Sequence, residues 1–180
     1  KPSTNWEKNM NSYQKSVLEL QRMDDEYGDV WKLPPYKDCL AFVMTEIGET
    51  FDALMRMKPE YFRNRDFNQS QTDFYNESCD VVMMCIKALM SIKFPFNFSF
   101  FGLEAQPSIK NAVLVISNVV GEDLTTDDNP VYSMTIENAL ITLIITIEKE
   151  AGEGYVGNRI EEKMNKTRAK IEERKAQNNA

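Results

Sequence analysis

The chain has 180 residues, 42% of them apolar and 27% charged, a balance that suits one soluble domain with its own core. Its formal net charge of −7 argues against a general nucleic-acid binder, which presents a basic surface, yet it leaves room for a nucleotide substrate because a metal can bridge acidic protein and phosphate. The absence of histidine removes His-based triads and His-ligated zinc together.

Glycine and proline are scarce at seven each, and methionine is plentiful at ten. Few breakers and long periodic stretches predict an all-α chain. The three cysteines, Cys39, Cys79 and Cys85, are odd in number and have no framework spacing, which predicts reduced thiols. Cys79 and Cys85 fall in an apolar run and read as buried. No signal-peptide pattern and no 18-residue uncharged apolar run is visible, so no membrane partner is expected. The expected location is the cytoplasm, or a host's cytoplasm for a phage-encoded chain. The first residue is Lys1 rather than Met, so the natural N-terminus is expected to differ from it.

Residues 5–27 read as a first helix, with Leu18, Leu20 and Met23 as apolar positions and Gly28 as its stop. Residues 29–37 hold Trp31 and the Pro34-Pro35 pair and read as a shaped loop. A second helix is predicted over about 38–57. Its stripe is Leu40, Val43, Ile47, Phe51 and Leu54, and Asp38 is its N-cap candidate. Residues 58–72 are polar and read as a connection, with room for a short helix, long enough for an antiparallel return. A third helix over about 72–92 is apolar nearly all round and should lie centrally.

Five phenylalanines lie between 93 and 108, and three readings stay open for them: a hydrophobic loop, a short strand pair or an oligomer contact. Then come a short helix over 109–120 and an acidic loop over 121–130. An apolar helix over 133–151 and a charge-rich helix over 158–174 follow, and residues 177–180 should fray.

Two acidic pairs organise the middle of the chain: Glu46-Ile47-Gly48-Glu49 and Glu77-Ser78-Cys79-Asp80. Residues three apart on a helix are surface neighbours, so each pair can aim two carboxylates at one spot. Two such helices side by side would gather four anions, which repel unless a cation sits among them. Mg2+ is commonly held by carboxylates together with substrate phosphates. The bland alternative is two solvated helix faces in a chain with 28 acids. Against it, Glu77 and Asp80 sit in the helix expected to be central, where an unpaired acid is costly. Asp52 lies further round the second helix, as an outer or solvated acid.

Glu46-x-x-Glu49 followed by Glu77-x-x-Asp80 resembles the signature of the MazG-like, all-α nucleoside triphosphate pyrophosphohydrolases. That superfamily includes the dimeric dUTPases, the dCTP pyrophosphatases and the phosphoribosyl-ATP pyrophosphohydrolases. Its pattern is commonly E-E-x-x-E, a gap, then E-x-x-D. Here Thr45 stands where the first Glu often stands, and four carboxylates remain. Trp31 precedes the acidic helix at a familiar interval. Lys163-Met164-Asn165-Lys166-Thr167-Arg168 resembles the family's late Lys/Asn/Arg helix.

The resemblance implies one helical-bundle domain over 1–180. Its core would be about 31–92, with an atypical insert at about 93–130 and C-terminal helices at about 133–174. It implies Mg2+-dependent hydrolysis, with Mn2+ as a substitute, between the α- and β-phosphates of a nucleoside triphosphate. Glu46, Glu49, Glu77 and Asp80 would be the metal ligands and catalytic carboxylates. Lys163, Lys166 and Arg168 would contact phosphates, and Asn165 would position them. The competing reading of this last helix is a solvated face with pairs such as Glu162–Lys166.

Trp31 reads either as a base stack or as an ordinary core tryptophan. Gln14 and Asn11 read as base-edge readers or as solvated amides. The family also implies a homodimer or homotetramer, for which the apolar helices at 109–120 and 133–151 offer surface. Two alternatives are kept: a member restricted to dGTP, dUTP or dCTP, and a helical interaction protein without catalysis.

Overall fold

The computed structural model describes residues 11–58, 66–98, 102–126 and 131–178. These form six helices and, among the described residues, no strand. They are α1 (Ser12–Tyr27), α2 (Tyr36–Arg56), α3 (Phe67–Ser91), α4 (Ile109–Thr125), α5 (Ser133–Ala151) and α6 (Tyr155–Asn178). The all-α expectation therefore holds at the level of class.

Helix α3 touches each of the other five. Every residue from Ser78 to Ile86 is buried, as an all-round apolar helix requires. The core around it is drawn from all six helices, with Leu20, Leu40, Leu89, Ile116, Leu140 and Ile160 among its members. Each fully buried aliphatic side chain contributes about 1.5–3 kcal/mol. All three cysteines are buried and free.

Several boundaries differ from expectation. Helix α1 is capped by Asn11, whose side chain accepts the Gln14 N–H while Gln14 Oε1 accepts the Asn11 N–H, a reciprocal capping box. The expected start at residue 5 lies outside the described residues. Helix α2 begins at Tyr36 rather than Asp38, because extended Pro35 (φ −54°, ψ 152°) is followed at once by helical backbone. Asp38 then sits in the first turn, where a carboxylate complements the helix dipole. Helix α3 begins at Phe67, capped by Asp66, and so takes in polar residues read as connection. Helix α4 runs through Gly121 to Thr125. Buried Asp123 accepts the Tyr36 hydroxyl and ion-pairs with Lys37, which holds that last turn against the start of α2. Helix α6 runs from Tyr155 to Asn178, longer at both ends than the 158–174 expected.

The phenylalanine stretch is a loop in its described part. Phe94 and Phe96 meet edge to face, and Phe96 and Phe98 pack on Tyr13 of α1. The Tyr13 hydroxyl donates to Glu137 Oε1 at 2.6 Å, and that same oxygen accepts the Asn97 N–H at 2.9 Å. The apolar residues of α5 are nearly all occupied inside this chain. The exposed large apolar side chains are instead scattered, on α2 (Phe42, Met55), on α4 (Leu114, Val115) and beyond.

Two glycines have structural work. Gly152 ends α5 at φ +108°, a backbone that L side chains rarely adopt. Gly157 lets α6 press against α1, since a Cβ there would stand 3.0 Å from Lys15 Cδ and 3.3 Å from Ser12 Cα. Helices α1 and α6 run in the same direction along this seam. Lys15 pairs with Glu161 at 2.7 Å, Arg168 with Glu19 at 2.5 Å, and Lys175 lies 4.9 Å over the Tyr27 ring.

Candidate metal and phosphate site

Glu46 on α2 and Glu77 and Asp80 on α3 each present a carboxylate oxygen within 4.8 Å of the other two. Residues Glu77 and Asp80 share a face because they are three apart, and α2 packs alongside α3 so that Glu46 meets them. Glu46 and Glu77 are half-buried, and Asp80 is 9% exposed. Glu49, the fourth acid of the predicted set, is exposed and stands outside this group. Its charge still acts on both Glu46 and Glu77. Asp52 turns to Arg56, 3.1 Å away.

The crowding has an electrostatic signature. Burial, then the Asp80 charge, pushes the Glu46 carboxyl above the usual glutamate value, with Glu49 and Glu77 adding to it and Lys163 opposing. Glu77 is raised for the same reasons in the same order, by burial, Asp80 and Glu49, with Lys163 and Arg56 opposing. The cluster concentrates negative charge that Lys163 offsets in part. The donor set suits Mg2+, a hard cation held by oxygen. Two oxygens on one Mg2+ at about 2.1 Å stand at most about 4.2 Å apart, so the 4.8 Å span closes with small side-chain rotations.

Helix α6 brings a cation to the cluster. Lys163 Nζ lies 2.6 Å from Asp80 Oδ2. A second lysine, Lys87, stands on α3 seven residues beyond Asp80, two turns along the same face. Burial lowers its ammonium from the ordinary lysine value and nearby Lys163 lowers it further, while Cys39, Asp80 and Glu46 pull it back up. Its Nζ sits 4.9 Å from the Trp31 ring centroid. Trp31 itself is partly buried against the core, so its ring is engaged by packing and by a cation.

The other predicted contacts disperse. Arg168 turns to α1, paired with Glu19 and, at 3.5 Å, with Glu26. Five residues on a helix amount to about 140° of rotation, so Lys163 and Arg168 serve different faces of α6. Lys166 pairs with Glu162 at 2.6 Å on an exposed face, and exposed Asn165 accepts from Arg168 at 2.9 Å. Gln14 and Asn11 are engaged in the α1 cap. Thr45 is exposed and donates to the Ala41 carbonyl within its own helix.

Sequence reasoning passed over Lys87. Its signal was present: it is the single charged residue in the run Val81–Met90. Compared with protein-family models, with curated proteins and with solved structures, the chain has no match in any of the three.

Proposed function

We propose that this chain is a Mg2+-dependent nucleoside triphosphate pyrophosphohydrolase of the MazG-like type, releasing the nucleoside monophosphate and pyrophosphate. The observation that carries the reading is the convergence of Glu46, Glu77 and Asp80 on one point with Lys163 reaching it from a third helix. Three anions held this close, with two carboxyls raised, are arranged for a cation rather than for solvent.

Glu46, Glu77 and Asp80 would hold the metal, with Glu49 joining them from the adjacent turn. Bound Mg2+ supplies charge neutralisation at the phosphates and a more acidic attacking water. Lys163 neutralises Asp80 before substrate arrives and faces the phosphates when it does. Lys87 adds a second positive charge on the Trp31 side. Arg168 is assigned to the α1–α6 seam, where it pairs with buried Glu19. Mn2+ is the expected substitute ion. A homodimer or homotetramer is the expected assembly.

The test is turnover of the eight common NTPs and dNTPs with Mg2+ and with EDTA, with products identified. Monophosphate plus pyrophosphate, in Mg2+ alone, is the expected result. Release of orthophosphate, or turnover unaffected by EDTA, would refute the proposed reaction.

A further inference from the structure

A cavity of about 310 Å³ opens between α3 and α6, lined by Thr72, Asn76, Tyr155, Asn158, Arg159 and Glu162. It adjoins the carboxylate cluster. Asn76 precedes Asp80 by four residues and Arg159 precedes Lys163 by four, so on both walls the cavity lies one helical turn, about 6 Å, from the Asp80–Lys163 pair.

Its charges are mutually compensated. Arg159 Nη1 lies 3.3 Å from Glu162 Oε2, and Glu162 Oε1 lies 2.6 Å from Lys166. What remains toward the cavity is neutral and polar or aromatic. The Tyr155 ring packs edge-on against Tyr75 at 5.8 Å, and its hydroxyl donates to Asn76 Oδ1 at 3.1 Å. Asn158 Oδ1 accepts from Lys15 at 2.8 Å. With both amide oxygens engaged, Asn76 and Asn158 offer their NH2 groups. Arg159 Nε is buried with no acceptor. Two amide N–H donors therefore flank an aromatic side chain, and a polar group left without a partner when a ligand covers it is costly.

We infer that this cavity receives the nucleoside end of the substrate and favours bases with a carbonyl at purine C6 or pyrimidine C4, guanine, uracil and thymine, over adenine and cytosine, which carry an amino group there. The inference rests on the pyrophosphohydrolase reading. The phosphates belong at the carboxylates and Lys163, and the neutral part of the molecule belongs in the neutral cavity one turn away. At purine C6 and pyrimidine C4, guanine, uracil and thymine present a carbonyl acceptor where adenine and cytosine present an amino donor, which would meet the donors of Asn76 and Asn158 head on. A polar site that is left mispaired discriminates strongly, because the penalty falls on the wrong ligand.

The experiment is calorimetric binding of α,β-imido analogues of dGTP, dTTP, dUTP, dATP and dCTP in Mg2+, which avoids dependence on turnover. The parent protein should bind the three carbonyl-base analogues at least fivefold tighter than the other two. Asn76→Ala and Asn158→Ala should erase that preference while their melting temperatures stay near the parent's. Asn76→Asp replaces a donor by an acceptor and should move the ranking toward dATP and dCTP. Glu77→Gln should weaken all five analogues by the same factor.

A parent protein that binds the analogues without a base preference would overturn the inference and leave the reaction standing. So would a preference that survives both alanine variants. Failure of the parent protein to bind any analogue, together with no turnover of the eight nucleotides, would overturn both.

Discussion

Replacing Glu77 by Gln should stabilise the metal-free protein and remove most of what Mg2+ adds. Two unit charges 4.8 Å apart repel by about 0.9 kcal/mol with water-like screening and about 3.5 kcal/mol at an effective dielectric constant of 20. Glu77 faces two such neighbours, Glu46 and Asp80. Solvent screening at this partly exposed site brings the pair repulsion toward the lower figure, and the variant also loses attraction to Lys163 and Arg56. The net gain is about 1 kcal/mol, which in a chain of this size raises Tm by roughly 2–4 °C. In the parent protein, Mg2+ at a hundred times its Kd should add about 2.7 kcal/mol. Paired thermal melts of parent and variant, in EDTA and in Mg2+, read both quantities. Glu104→Gln, at an exposed site outside the cluster, serves as the control. A variant that melts below the parent in EDTA, or that gains as much from Mg2+ as the parent does, would refute the electrostatic account of the cluster.

Other expectations are more local. In EDTA, raised Glu46 and Glu77 carboxyls mean that the folded state binds more protons than the unfolded one above the ordinary value of 4.5. Their contribution to stability is therefore present below 4.5 and is lost as pH rises through the raised values. Mg2+ needs these groups ionised, so the gap between the Mg2+ and EDTA melting curves should widen as pH rises across that window, and a gap constant with pH would contradict it. Leu140→Ala should cost about 2–5 kcal/mol by cavity formation in the centre of α5, measured by urea denaturation. Gly152→Ala should cost about 1–3 kcal/mol at its φ of +108°, and an unchanged midpoint would show that the turn relaxes. Arg168→Met should lower Tm more than it lowers kcat/KM, because its partner Glu19 is buried, and the opposite pattern would return Arg168 to the phosphates.

The core helices were legible because their periodicity is strong. Leu40, Val43 and Ile47 form the buried face of α2 as read, and α3 is the central helix its composition demands. The ends were not legible where tertiary bonds decide them. No local pattern carries α4 past Gly121. The bonds that do so link Asp123 to Tyr36 and Lys37, some 86 residues away. The carboxylate group was readable because two i, i+3 pairs lie beside apolar stripes. Which of its members converge depends on how α2 seats on α3, and the linear spacing treats Glu49 and Glu46 as equals. The late basic motif divides in three for a related reason. Lys163, Lys166 and Arg168 look alike in sequence, but the helix turns them toward a carboxylate, an exposed ion pair and a neighbouring helix.

Gly157 links the seam to the chemistry. A helix is a stiff rod, so a displacement at one turn is carried to the next with little loss. A Cβ at 157 would crowd Lys15 Cδ, Ser12 Oγ and Ser12 Cα at 3.0–3.3 Å, and where these do not give way the rod shifts off α1 and carries Lys163, six residues further on, with it relative to Asp80. A single missing methyl, outside the Glu46–Glu77–Asp80 cluster, thus acts as a spacer that bears on the reach of the lysine. Variation there would be expected to detune the site without altering one of its charged groups.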